Sequence, residues 1–564
     1  MDKQTLKLLL EFPGCGVTGI SAASIQCQGA REYQEDSCGF SQVSPDEPAG
    51  SFCAVVADGM GGLNAGAFVS NHAVQSLLNS DLGGNRGLCL PDELVDKFRR
   101  ISGEIAAGGS RGGTTLAAVV CVPEGVYFCS VGDSRIYLLR GGVLTQLTED
   151  ENYFNVLLER VISGKTTYRQ AEEDPDRGAL SQYVGSGTFL TPDRNIIPLL
   201  PQPGDQLLIC SDGVYNALTA EELMQSMTLS AGAAAEDIAG RILARGCANQ
   251  DNFTAVTLEF FPGETSARPQ PQPQRVKFDS CDFSSCTANG GCERNEDSFF
   301  TGGGIFAVAD GLGGHKGGEV ASAAAVDYIS SHAGEFPEDI NGLFEGANTA
   351  VRKAGEGMST IAAGFVKDGV FSYGNIGDSR VYFFRGGRII ARTKDHSVCQ
   401  AAVELGQLIP EQIRFSEDRS RLLKALGSEE RLNLRQGYAP IEIQPGDSFI
   451  VCSDGFWEYV HEHDMECDRL KSATSAEWLQ RMIKRRLVNS GDEGDNYTAV
   501  CGIFTDQPPQ SKPKKRRFNL RLLLAAVLAV LMLGALAGTL VFLSGNYGDS
   551  EPGGASASEE LRIE

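Results

Sequence analysis

Two uninterrupted apolar runs, Phe52 to Ala57 and Ile305 to Ala309, each stop at an aspartate followed by glycine, reading FCAVVADGMGG and IFAVADGLGGH. A run that is apolar on both faces belongs inside a sheet, where its backbone finds partners and neither face meets water. The pattern predicts a buried strand that delivers Asp58 in one copy and Asp310 in the other to a fixed place, with a glycine beside it that lets the backbone approach a bound ion. A plain strand-to-helix turn with a capping aspartate would explain either copy alone. The repeated order of the motifs that follow does not fit that simpler account.

After a short lead-in, Gln28 to Ser37 (QGAREYQEDS) places Arg31 ahead of Glu35 and Asp36. Beyond Asp58, residues 65–78 have the spacing of an amphipathic helix packed on a sheet, and 92–105 predict a second helix. Residues 112–142 read as a meander of apolar strands broken at Glu124-Gly125 and Arg140-Gly141-Gly142, with Asp133 at a Gly-Asp-Ser-Arg break. Residues 149–190 are more polar and predict a surface insertion with a helix near 155–162. The strand of PGDQLLICSDG ends in Asp212, and DNFTAVTLEFF opens with Asp251. These aspartates lie at strand edges, where loops converge.

Pro269, Pro271 and Pro273 mark 263–274 as a semi-extended linker, after which the series restarts. Arg294-Asn295-Glu296-Asp297 comes first, then Asp310, Met358-Ser359-Thr360, Asp378 in a second Gly-Asp-Ser-Arg, Asp454 in PGDSFIVCSDG and Asp495 in DNYTAV. The separation of matched residues drifts from 261 (Glu35 and Glu296) through 252 and 245 to 244 (Asp251 and Asp495). Slow drift over so long a period indicates two whole domains, 1–262 and 275–505, rather than a solenoid.

Composition adds limits. Of 564 residues, 49 are Lys or Arg and 73 Asp or Glu, a net charge of -24 that disfavours broad binding to nucleic acid. The 16 cysteines fall singly, many in apolar strands, and read as reduced core residues. The first residues lack a secretory cleavage pattern. A basic segment, 506–521, precedes an uncharged apolar stretch, 522–543, and an acidic tail, 544–564. At about 1.5 Å per residue that stretch crosses a hydrocarbon core of about 30 Å. The basic flank places both domains on the cytoplasmic side and the tail outside. Gly534 and Gly538 form a small-residue pair of the kind that supports a homodimer, though a monomer is the first expectation.

Carboxylates at strand ends, six histidines in the whole chain and no zinc spacing favour hard ions, Mg²⁺ or Mn²⁺. Two such ions bridged by one aspartate would activate a shared water and clamp the oxygens of an in-line displacement, which is phosphoryl hydrolysis. Arg31 has the chemistry to hold a phosphate by paired hydrogen bonds, against the plainer role of a solvated ion pair. No Ser/His/Asp or Cys/His arrangement recurs in both halves, and Thr114-Thr115 has no histidine partner.

The ordered set RxxxED, ADGxGG, GGTT or its variant, GDSR, SDG and DNxT resembles the metal-dependent Ser/Thr protein phosphatases of type 2C, bacterial in style, over nearly all of 20–262 and 275–505. The resemblance implies an α+β fold of tandem four-layer α-β-β-α sandwiches, to which the chain adds one C-terminal transmembrane helix. It implies Asp58 as bridging metal ligand with the Gly59 carbonyl, Asp212 and Asp251 as further ligands, Glu35 on a metal-bound water, and Asp133 at a third metal. Asp310, Gly311, Asp454, Asp495, Glu296 and Asp378 hold the same places in the second half. It further implies two Mn or Mg ions per competent domain, attack by metal-activated water without a phosphoenzyme, and phosphoprotein substrates supplied by a Ser/Thr kinase.

The halves depart from the pattern differently. In the first, Leu63, Ala67 and Glu151-Asn152 replace a His, a Glu and a His-Ser pair. The second keeps His315, Glu319 and Asp395-His396-Ser397, but Cys292 aligns with Arg31, and Arg294 lies two residues on, about 6–7 Å along a strand. The expectation is therefore a membrane-anchored phosphatase whose first domain, through Arg31, Glu35 and Asp58, does most of the chemistry. The alternatives are a phosphoprotein-binding adaptor with one or both domains inactive, and structural Ca²⁺ sites.

Overall fold

The computed structural model describes residues 2–41, 50–61, 65–80, 82, 89–109, 112–262, 281–312, 317–335, 339–355, 357–432, 434 and 437–505. Strands before the linker form two antiparallel sheets. One runs Asp2–Phe12, Val17–Cys27, Phe253–Pro262, Gln206–Cys210, Arg135–Arg140, Val143–Gln146. The other runs Asp193–Arg194, Gly125–Val131, Leu116–Val122, Phe52–Ala57, Ser37–Phe40. Their facing sides bury Ile20, Phe52, Val119, Phe128, Ile209 and Leu258 in one cluster. Ala65–Leu78 and Leu90–Ala107 cover the outer face of the second sheet, where Val69, Leu77, Phe98 and Ile101 pack on Val55 and Val120. Ala220–Met227 and Ala231–Arg245 cover the first. The result is four layers, helices outside and sheets inside.

Strands after the linker repeat the plan. One sheet runs Cys281–Ala288, Tyr497–Phe504, Ser448–Cys452, Arg380–Arg385, Arg388–Arg392, and the other Ser298–Gly302, Ile305–Ala309, Ile361–Lys367, Val370–Ile376, Ile441–Glu442. Helices again flank them, Gly318–His332 and Ile340–Ala354 on one side, Ser475–Ser490 on the other. Both sandwiches belong to one compact unit, Met1–Pro508. Cys467 and Leu470, on the second half's Glu462–Lys471 helix, pack into the inter-sheet cluster of the first half. The Leu470 carbonyl also accepts the backbone N–H groups of Ile196 (2.8 Å) and Ile197 (3.1 Å).

Three sequence readings change. The lead-in is a long hairpin, Asp2–Phe12 against Val17–Cys27, that forms the edge of the first sheet. The edge strand's first residues are exposed, which hid its period. The insertion over 149–190 carries two helices, Tyr153–Ile162, capped by Asn152, and Tyr168–Glu172, capped by Thr167. All 16 cysteines are free, but Cys89, Cys247 and Cys292 are exposed rather than in the core. No helix among the described residues is long and apolar enough to cross a membrane. The stretch 522–543, its Gly534 and Gly538, the linker, and Leu63 and His315 lie outside the described residues.

Candidate metal centre

Asp58 follows the all-buried strand Phe52–Ala57 and is held by its own backbone. Its N–H donates to Thr115 Oγ1 at 2.9 Å, and its carbonyl accepts from Thr114 Oγ1 (2.8 Å) and the Thr115 N–H (2.9 Å). These bonds use none of the Asp58 carboxylate oxygens. Gly59 comes next, and a Cβ there would stand 2.3 Å from the Gly66 carbonyl oxygen and 2.4 Å from that of Glu35. Only glycine permits that approach.

Asp212 opens the short helix Asp212–Tyr215 at the end of Gln206–Cys210, and Asp251 lies two residues before Phe253–Pro262. Asp58 and Asp212 are close enough to share a proton. Burial first, then the charges of Asp36, Asp212, Asp133 and Asp251, raise the Asp58 carboxyl well above its usual range. Asp212 is raised by burial and by Asp251, and Asp133 to about 6 by burial and Asp212. Like charges held this close disfavour ionisation unless a cation joins them. Glu35 Oε1 is buried without a hydrogen-bond partner, and its backbone N–H is fixed by Asn252 Oδ1 at 2.8 Å. Arg31 stays exposed and donates to Asp251 Oδ2 at 2.6 Å.

The second half assembles the same residues. The Asp310 N–H donates to Thr360 Oγ1 at 3.0 Å, and its carboxyl can share a proton with Asp454. Burial first, then Asp454, Asp297, Asp378 and Asp495, raise Asp310 well above its usual range. Burial followed by Asp395 raises Asp378 to about 7. Asp454 Oδ1 is buried without a partner, and a Cβ on Gly311 would meet Gly318 at 2.3 Å. Glu296 is fixed as Glu35 is, its N–H donating to Asn496 Oδ1 at 2.7 Å. Cys292 Sγ, however, stands 3.4 Å from Asp495 Oδ1, in the role Arg31 plays toward Asp251. Arg294 is exposed, and its carbonyl accepts from Asn496.

Asp58, Asp133, Asp212 and Asp251 therefore gather in one cluster and Asp310, Asp378, Asp454 and Asp495 in the other, with Glu35 and Glu296 anchored through Asn252 and Asn496. All donors are oxygens, several lack a partner, and the backbone opens at a glycine, which fits Mg²⁺ or Mn²⁺. Sequence reasoning named Asp36, Asp297 and Thr114-Thr115 without finding that they hold these acids. Asp36 Oδ2 accepts from Ser211 Oγ (2.7 Å) and Thr254 Oγ1 (2.8 Å), tying three motifs together, and burial raises its carboxyl to about 7. Asp297 accepts from Ser453 Oγ at 2.8 Å in the other half. Thr114 and Thr115, set aside for want of a histidine, hold Asp58. The signal was the recurrence of a hydroxyl pair, Ser359-Thr360, in the second half, where it holds Asp310. His396 donates its backbone N–H to the Gly377 carbonyl at 2.7 Å, and its Nδ1 is buried without a hydrogen-bond partner.

His461, His463 and Asp464 form a separate group with donor atoms within 4.8 Å of one another. Asp464 is bound to Arg485 at 2.7 Å, and burial, then Arg414, lowers His461 to about 4 against the opposing pull of Asp464 and Glu462.

The family model described as protein phosphatase 2C matches residues 27–245 and again 289–493. The chain belongs to the protein phosphatase 2C family. Among protein phosphatase 2C relatives, the serine/threonine protein phosphatase PstP of Mycobacterium tuberculosis is 31% identical over 227 residues, covering 38% of this chain. The match spans 42% of the length of PstP. The serine/threonine phosphatase stp of Listeria monocytogenes is 29% identical over 241 residues, 41% of this chain and 91% of that protein. A solved catalytic domain of PstP in complex with two manganese ions is 26% identical, covering 40% of this chain and 99% of that one, with a TM-score of 0.35.

Proposed function

We propose that the chain hydrolyses phosphoserine and phosphothreonine on proteins at the cytoplasmic face of a membrane, with most turnover in its first half. The observation that carries this reading is the oxygen-only cluster of Asp58, Asp212 and Asp251 with Arg31 at its edge, repeated in the second half without the arginine. Relatives named serine/threonine phosphatases support it.

Asp58, the Gly59 carbonyl, Asp212 and Asp251 would hold two Mn²⁺ or Mg²⁺ ions, with Asp133 at a third. When bound, such ions lower the pKa of a coordinated water and polarise phosphoryl oxygens. The rest falls to the chain. Arg31 releases Asp251 to fork onto the substrate phosphate. Glu35 Oε1, unpaired in the protein, accepts a hydrogen bond from the attacking water and orients it. The threonine bonds hold the Asp58 backbone, and so the origin of its carboxylate, in place. The two domains are 1–262 and 275–505, with 522–543 as a single-pass anchor and the tail outside. The substrates are phosphoproteins made by a Ser/Thr kinase, and pairing through Gly534 and Gly538 would form a homodimer.

A second reading, a phosphoprotein-binding adaptor, draws on Cys292 for the second half only. The test is phosphate release from a phosphothreonine peptide by the detergent-solubilised chain. Release should require Mn²⁺ or Mg²⁺ and stop with chelator. An unchanged rate in the Asp58→Asn, Asp310→Asn double variant would discard the metal mechanism.

A further inference from the structure

The loop that carries Asp133 is braced by the segment 147–151. Glu151 Oε2 accepts the Gly132 N–H at 3.1 Å, and the Glu151 N–H donates to the Gly132 carbonyl at 2.9 Å. Asp150 accepts from Arg135 at 2.6 and 2.9 Å, Arg135 lies 3.6 Å over the Tyr215 ring, and the Tyr215 hydroxyl donates to the Asp133 carbonyl at 3.0 Å. The second half has the same frame. Asp395 binds Arg380 at 2.7 and 2.8 Å, Arg380 lies 3.4 Å over Trp457, and the indole N–H donates to the Asp378 carbonyl at 2.9 Å.

The difference lies in what grips the frame from outside. In the second half Lys394, at the place of Glu149, is largely exposed and pairs with Glu404 on the surface. In the first half the grip comes from the other sandwich. The Lys471 side chain has no exposed surface; it donates to the Leu147 carbonyl at 3.1 Å and to Asp193 Oδ2 at 2.6 Å. Arg481 donates to Glu149 and reaches Asp193 Oδ1 at 3.3 Å. The Glu149 N–H closes the ring onto Asp193 Oδ2 at 2.9 Å. A buried ammonium is tolerated only where partners are supplied, and here they come from the opposite half. Burial raises the Glu149 carboxyl, but Lys471, Arg481 and Lys484 together outweigh it and hold Glu149 well below its usual range.

We propose that Lys471 and Arg481 are positioning residues for the first-half metal centre, acting through the 147–151 segment on the Gly132-Asp133 loop. Arg481 lies on the Ser475–Ser490 helix, which also carries Arg486. Arg486 donates to the carbonyls of Gly455 (3.0 Å) and Asp495 (3.2 Å), beside the second cluster. One helix therefore touches the frames of both centres, and the second half has a task that does not depend on its own turnover. The metal role of Asp133 is taken from the phosphatase reading above.

The test uses the full chain carrying Asp310→Asn, so that the first centre is read. Mn²⁺ binding is followed by electron paramagnetic resonance, amide hydrogen exchange at Gly132 and Asp133 by mass spectrometry, and phosphate release against Mn²⁺ concentration. Arg481→Ala should weaken the weakest Mn²⁺ site by about tenfold, the low end for loss of an outer partner, and speed exchange at Gly132. KM for the phosphopeptide should stay within about twofold, and Arg481→Lys should restore most of the loss. Should Lys471→Met fail to fold, Arg481, with 23% of its side chain exposed, still decides the matter. Unchanged Mn²⁺ isotherms and exchange in Arg481→Ala, even with a lower melting temperature, would overturn the proposal. If the parent releases no phosphate, the phosphatase reading fails, while binding and exchange still judge the positioning role.

Discussion

Cys292 presents its thiol to Asp495, Sγ 3.4 Å from Oδ1, where the first half sets a guanidinium against Asp251. A thiol raised by burial and by Asp495 is neutral at pH 7 and offers no charge to a phosphate. Turnover should therefore divide unequally. Asp58→Asn should cut phosphate release by about a hundredfold or more, since a direct ligand matters at least as much as its outer partners. Asp310→Asn should leave most of it. Equal losses in a phosphopeptide assay would show that both halves work.

The same relationship predicts a gain. In an Asp58→Asn chain, Cys292→Arg should raise residual activity about tenfold, a modest share of what one aimed charged donor contributes in a transition state. Activity that stays at background would mean that more than the guanidinium is missing from the second half.

Thr115 offers a test of the scaffold. Its hydroxyl meets both the Asp58 N–H and Ser134 Oγ, at 2.9 and 2.7 Å, and is buried. Thr115→Val leaves that N–H unpaired and should cost about 1–3 kcal/mol, read as a lower melting temperature. Mn²⁺ affinity should fall as well. Thr360→Val, which frees the Asp310 N–H, should give a similar melt with little loss of activity.

Glu151 supplies a pH dependence. Burial is the main cause that raises its carboxyl from the ordinary 4.5 to about 8, so at neutral pH the folded chain holds a proton that the unfolded chain releases. That contribution is complete below about 4.5 and disappears as pH rises through about 8, each pH step of one between those limits removing up to about 1.4 kcal/mol. Glu151→Gln keeps a neutral group in place and should flatten the fall in melting temperature between pH 5 and 9. An identical pH profile in the variant would show that Glu151 is ionised in the fold.

Local pattern revealed what local pattern determines. Phe52–Ala57 and Ala65–Leu78 form where apolar runs and helical spacing placed them, because each buries its own face. The edge strand Asp2–Phe12 was missed because Lys3, Gln4 and Thr5 face solvent on both sides before alternation begins at Leu8. The acids were legible as a set because the chain states them twice. Their supports were not, since Asp36 finds Thr254 across 218 residues and Glu149 finds Arg481 across 332, distances over which no periodicity speaks.

The seat of Cys467 and Leu470 inside the first sandwich makes the first half lean on the second. Because the Glu462–Lys471 helix fills part of that core, deleting the second half would open an apolar trench in the first. The second half is thus needed by the first even with Cys292 where the first has Arg31. Its persistence in the chain is no measure of its catalysis, and severing the proline-rich linker should yield two fragments that travel together rather than two independent enzymes.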